Sequence, residues 1–169
     1  MEKRNYKRVL SVAGSDSGGG AGIQADVKTI SACGCYAATA ITAVTVQNTL
    51  GVRSVYGMSG EAIEGQMEAV LSDIGVDSMK TGMLFSADIV RVVAKMIRKY
   101  DVKNFVLDPV MVSTSGHKLI DDEAIDVLRK ELLPLAKIIT PNIPEAEMLF
   151  GCKISKQEDL PEVAARMAK

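Results

Sequence analysis

The sequence has no tryptophan and only 4% aromatic residues, so any core must be filled by aliphatic side chains and by its nine methionines. A single histidine, His117, supports no Ser/His/Asp arrangement and is assigned no catalytic role; a solvated or lid position suits it. Charge of one sign is also missing. With 20 basic against 21 acidic residues and no basic run, nucleic acid is not an expected partner. No stretch approaches the roughly 18 apolar residues of a membrane span. The charged segment Met1 to Arg8 is followed by too short an apolar run for a signal peptide. Three cysteines, Cys33, Cys35 and Cys152, are an odd number without a secretory signal, which argues against a disulfide framework and for reduced thiols in a cytoplasmic protein. The pair Cys33-Gly34-Cys35 lacks the two-residue gap of a metal knuckle, so it reads as small buried side chains at a helix-to-strand turn.

What is present is a chain of 169 residues, 47% hydrophobic, enough for one domain with a sizeable core. Its most informative stretch is Gly14-Ser-Asp-Ser-Gly18-Gly-Gly-Ala-Gly22-Ile-Gln-Ala-Asp26, with five glycines among nine residues. It lies between an apolar strand-like run, Val9 to Ala13, and a helix-like segment, Ile23 to Ala32. Such a loop belongs at the carboxyl end of a parallel sheet, where α/β proteins place their ligands. Strand-like and helix-like segments then alternate, the mark of a mostly parallel sheet with helices on its faces. Ala37 to Val46, Gly51 to Tyr56, Val76 to Thr81, Asn104 to Leu107 and Lys137 to Thr140 read as strands. Helical spacing appears at Ile63, Met67, Val70, Leu71 and Ile74, and again at Ile89, Val92, Val93, Met96, Ile97 and Tyr100. Asp121 or Asp122 caps a helix running to about Leu133 with Pro134 just beyond, and Pro144 fits the first turn of another. Glu162 to Lys169 favours a helix, after which an alternating fold calls for a further strand.

The glycine loop is not an ordinary nucleotide loop. No Gly-Lys-Ser/Thr triplet occurs. Gly20-x-Gly22-x-x-Ala25 matches a relaxed dinucleotide fingerprint, but no acid lies between Val27 and Gly60 to hold a ribose. Four further loops after expected strands carry polar or small groups: Gln47-Asn48-Thr49, Lys80-Thr-Gly82-Met83, Asp108-Pro-Val110-Met111 with Ser113 to Gly116, and Thr140-Pro-Asn142-Ile-Pro-Glu145. Gln47 offers a donor and an acceptor to a heteroaromatic ring, while Met83 and Val110 supply apolar walls. Asp108, Asn142 and Glu145 are oxygen donors suited to Mg²⁺ beside phosphates. The plainer alternatives stay open: Asp108 as the end of a strand, and Glu145 as a first-turn acid favoured by the helix dipole. Asp121-Asp122-Glu123 reads as a helix start.

The stretches GSDSGGGAGIQADVKT, AVTVQNT, KTGML, VLDPVM and TPNIPEAE together resemble the bacterial hydroxymethylpyrimidine/phosphomethylpyrimidine kinases of thiamin biosynthesis, in the ribokinase-like superfamily. That resemblance implies a three-layer α/β/α fold and phosphorylation of 4-amino-5-hydroxymethyl-2-methylpyrimidine and then its monophosphate, with ATP and Mg²⁺. It implies pyrimidine contacts at Ala21, Asp26, Gln47, Met83 and Val110, and a phosphate and metal side at Asp108, Asn142 and Glu145, with Asp108 and Glu145 toward Mg²⁺. Family members often dimerise, which leaves a homodimer as an open expectation. They are about half as long again, and the lysine, adenine pocket and anion hole of their carboxyl-terminal part have no counterpart here. Residues 1–169 are therefore expected to be one domain, the substrate-binding portion, inactive alone, with the catalytic base lying beyond Lys169. Pyridoxal kinase is the alternative within the superfamily, and a non-catalytic pyrimidine-binding module the alternative outside it.

Overall fold

The structure is a computed structural model that describes residues 6–111, 120 and 122–167. His117, the Ser113 to Gly116 loop, Asp121, Lys169 and the first five residues lie outside these described residues. In chain order the elements are β1 (Arg8–Asp16), α1 (Gly22–Ala32), β2 (Tyr36–Asn48), β3 (Gly51–Gly57), α2 (Gly60–Ala69), β4 (Ser78–Thr81), α3 (Ala87–Lys99), β5 (Phe105–Leu107), α4 (Asp122–Val127), β6 (Ile138–Ile139), α5 (Ile143–Phe150) and α6 (Leu160–Met167). They form a sheet in the order β3-β2-β1-β4-β5-β6. Neighbours run parallel except in the β2–β3 hairpin.

Side chains alternate along each strand, so the two faces of the sheet meet different partners. Leu10 and Val12 of β1 enter a core with Ile63 and Met67 of α2 and Val90, Val93 and Met96 of α3. Ser11 between them points the other way and donates to Asp26 of α1 at 2.6 Å. Helices thus lie on both faces, and the sheet is the middle of three layers. Burial of seven residues on one side of α3, from Ala87 to Ile97, anchors it, each large side chain contributing about 1.5–3 kcal/mol. On the α1 face a lateral row runs Ser11, Lys80, Val106, Ile138 across four strands. It passes from full burial at Ser11 to 54% exposure at Ile138, because α1 covers only the β1–β2 end.

Several expectations shift. β1 continues past Ala13 through the first glycine to Asp16, because a bulge between Ala13 and Ser15 lets Ser15 and Asp16 pair with Val44 and Thr45. Gln47 and Asn48 belong to β2, since the hairpin pairs them with Val52 and Gly51. Lys80 and Thr81 lie within β4, in keeping with the strand expected over Val76 to Thr81, but that strand begins at Ser78, and only Gly82 and Met83 of their motif lie beyond it. After α4 the helix widens into a π turn, Leu128–Leu132, and Pro134 sits inside the closing 3-10 turn, Leu133–Leu135. The expected burial of Cys33 and Cys35 is wrong. Cys33 is exposed and Cys35 half-buried, in a turn so open that a side chain at Gly34 would meet nothing within 4 Å. Among the described residues no helix is long and apolar enough to cross a membrane.

Candidate active site

The glycine loop is organised by Asp16, to which the motifs assign no role. Asp16, only 5% exposed at the end of β1, accepts from Gly18 N–H at 2.8 Å through Oδ1. Its Oδ2 accepts from Gly20 N–H at 3.0 Å and Ala21 N–H at 2.8 Å. Its backbone oxygen accepts from Gly19 N–H at 2.9 Å. Donors that a phosphate would need are therefore already turned onto the chain's own carboxylate, and the loop is a shaped wall, not a phosphate cradle. The signal is legible as Asp16-x-Gly18, because an Asp side chain commonly accepts from the backbone N–H two residues on. Gly22 then opens α1 at φ +58°, where any Cβ would run into the Gly14 carbonyl oxygen. Gln24 fastens the helix to the strand, its Oε1 accepting from Asp16 N–H at 2.8 Å and its Nε2 donating to Ser15 Oγ at 2.7 Å.

Around this loop stand the residues expected to face the pyrimidine. Ala21 is exposed, its N–H held by Asp16. Gln47 is half-buried at the end of β2, its N–H donating to Ser17 Oγ at 2.9 Å and its carbonyl accepting from that hydroxyl at 2.6 Å. Met83, 8% exposed after β4, lies directly against Gly14, and its carbonyl accepts from the buried Thr42 hydroxyl at 2.6 Å. Val110 stands further off, half-buried after β5, its N–H folded back to the Asp108 carbonyl at 2.9 Å. Gln47 lies at the end of β2, and the other three lie in the segments that follow β1, β4 and β5.

The charged groups meet more closely. Lys80 Nζ lies 3.1 Å from both carboxylate oxygens of Asp26 and 3.4 Å from Asp108 Oδ2. Ser11 holds Asp26 from beneath, and Thr140 Oγ1 donates to Asp108 Oδ1 at 3.4 Å. In the sequence Lys80 stands out only as part of the Lys80-Thr-Gly82-Met83 motif. Its burial signal, a lysine between Met79 and Thr81 on a short strand, called for an ionic partner. Asn142 and Glu145 form a reciprocal cap on α5. Asn142 Oδ1 accepts from Glu145 N–H, and Glu145 Oε2 accepts from Asn142 N–H, each at 2.9 Å. Glu145 is 4% exposed, and burial raises its carboxyl above the ordinary range against the hydrogen bonds from Asn142 and Met111, with the nearby Asp108 charge adding to the rise.

Mg²⁺ bound beside phosphates needs only one or two carboxylates. Asp108, with 31% of its side chain exposed and both its contacts at 3.4 Å, fits that role directly. Glu145 is nearly buried and has both oxygens engaged, by the N–H groups of Asn142 and Met111, so it is not free to fill that role directly. No cluster of three metal-binding side chains occurs among the described residues. A groove of about 680 Å³ lies elsewhere, along β6 between α5 and α6, and shares only Asn142 with these residues.

A sequence profile of the phosphomethylpyrimidine kinase family matches residues 16–169. The chain belongs to that family. It is 45% identical over 162 residues to the hydroxymethylpyrimidine/phosphomethylpyrimidine kinase of Bacillus subtilis, covering 96% of this chain and 60% of that protein. It is 51% identical over 159 residues to the thiamine biosynthesis bifunctional protein of Geobacter sulfurreducens, covering 94% of this chain and 32% of that protein. The chain thus spans between a third and three fifths of these relatives' lengths. The crystal structure of phosphomethylpyrimidine kinase from Clostridium difficile superposes with a TM-score of 0.90 at 48% identity, covering 96% of this chain and 70% of that one. Pyridoxal kinase from Staphylococcus aureus, in complex with pyridoxal, superposes at 0.87 with 34% identity, covering 98% and 60%. The fold is accordingly the ribokinase-like three-layer α/β/α arrangement, with a mostly parallel sheet.

Proposed function

We propose that this chain supplies the substrate-binding part of an ATP-dependent kinase acting on 4-amino-5-hydroxymethyl-2-methylpyrimidine and its monophosphate. The observation that carries this reading is the ionic bridge at Lys80. It brings Asp26 of α1 and Asp108 after β5 within reach of one ammonium, in a family whose relatives bear that kinase name. Asp26, Gln47, Ala21, Met83 and Val110 form the ring side. Gln47 discriminates by pairing both a donor and an acceptor, since a ring lacking either leaves a polar group unpaired. Asp108, Asn142 and Glu145 form the phosphate side, with Asp108 and Glu145 toward Mg²⁺. ATP is the phosphoryl donor, and the metal, when bound, neutralises charge on its phosphates. Phosphoryl transfer is served chiefly by positioning and charge neutralisation, so the work of these residues is to hold the acceptor hydroxyl still. The catalytic base is not assigned to this chain, and residues 1–169 alone bind without turnover in a cytoplasmic setting.

Thermal-shift titration of the purified chain tests the reading. The pyrimidine raises the melting temperature in proportion to the logarithm of its concentration above Kd, and pyridoxal does so less. Pyridoxal is a second reading, favoured by the superposition on a pyridoxal-bound kinase; stabilisation by pyridoxal alone selects it. Robust phosphorylation of the pyrimidine by the 169-residue chain overturns the claim that it needs a further part.

A further inference from the structure

We propose that Lys80 is a positioning residue that couples the pyrimidine side of the site to its phosphate side, an inference resting on the kinase reading above. Three segments meet at its ammonium, and a fourth braces one of them. β4 carries it, α1 brings Asp26, the turn after β5 brings Asp108, and Thr140 beyond β6 steadies Asp108. Its side chain is 26% exposed, and those of Asp26 and Asp108 are 19% and 31% exposed, so solvent screens all three only in part. Two carboxylates this close repel unless a cation lies between them. An ammonium has three donors on a flexible stem, and here they are divided, the shorter contacts at 3.1 Å going to Asp26 and the longer one at 3.4 Å to Asp108.

A shared ammonium makes the two carboxylates dependent on each other. Whatever neutralises Asp108 returns the whole of Lys80 to Asp26. Asp26 cannot rotate away from the change, because Ser11, fully buried, already holds Oδ2 at 2.6 Å. Events on the phosphate side are therefore felt on the ring side through one side chain.

A binding cycle on the full 169-residue chain tests this, using calorimetric titration with 4-amino-5-hydroxymethyl-2-methylpyrimidine. Asp108→Asn tightens binding about five-fold in the parent, and changes it by a distinctly different factor in a Lys80→Met background, where it instead removes a direct repulsion between the two carboxylates. Lys80→Met weakens binding about ten-fold, and Lys80→Arg recovers it to within about three-fold. A structural role alone lowers the melting temperature without this reversal of sign at Asp108. Unchanged or weaker binding by Asp108→Asn overturns the proposal, as does an equal Asp108→Asn effect with and without Lys80. If Lys80→Met does not fold, the comparison of Asp108→Asn with the parent decides alone. A parent that binds no pyrimidine removes the kinase reading and this proposal together; a parent that binds, with an additive cycle, removes only this one.

Discussion

Asp16 shows how one side chain can set the character of a loop. By accepting from Gly18, Gly20 and Ala21 it satisfies donors that otherwise face solvent or an anion, and it does so from a nearly buried position. Asp16→Ala leaves those N–H groups without their carboxylate and is expected to cost about 3 kcal/mol, read as a lower urea midpoint, together with loss of pyrimidine binding. Asp16 was readable in principle, since its partners lie two to five residues away. Lys80 was not. Its partner Asp26 is 54 residues distant, and only strand order decides that β4 lies beside β1 under α1.

The α5 helix is the element whose start was most legible, because Asn142 and Glu145 stand at capping-box spacing with a proline between them. The sequence left metal binding and helix capping both open for Glu145, and the structure shows the cap in place. Asn142→Ala is expected to cost about 1 kcal/mol, measured by denaturant unfolding. Glu145 adds a pH dependence of determinate sign. Its folded carboxyl titrates above its ordinary value of 4.5, so the folded state holds the proton more tightly than the unfolded one. The stabilising contribution is therefore fully present below about 4.5 and is lost as pH rises through the raised folded value. Glu145→Gln removes this slope, so its stability relative to the parent rises between pH 4 and pH 7; a constant difference would contradict the burial argument. β2 was harder to bound. Its length is set by pairing with two different neighbours, and pairing is invisible to a local pattern.

At the scale of the molecule the two ends of the sheet differ. The β1–β2 end of the α1 face is covered, while β6 ends the sheet with Ile138 at 54% exposure beside an apolar groove lined by Ile143, Leu160 and Val163. The B. subtilis relative carries chain that the match leaves out, since this sequence covers 60% of it. Supplying that remaining polypeptide in trans is expected to raise the melting temperature by on the order of 5–10 °C at saturation, and Ile138→Lys to abolish the gain without lowering the chain's own stability. No shift would mean that the groove is not a seat for it.

By itself the sequence determined the alternation of strands and helices, the glycine loop between the first pair, the family, and the residue types gathered at the strand ends. Those features are local, written in side-chain period, turn chemistry and cap spacing within a few residues of each other. Only the tertiary structure decided that Lys80 serves two carboxylates, and that the α1 face of the sheet is covered at one end and open at the other. Each of these depends on which strands become neighbours and which face they turn to a helix, and that choice is made by burial summed over the whole chain.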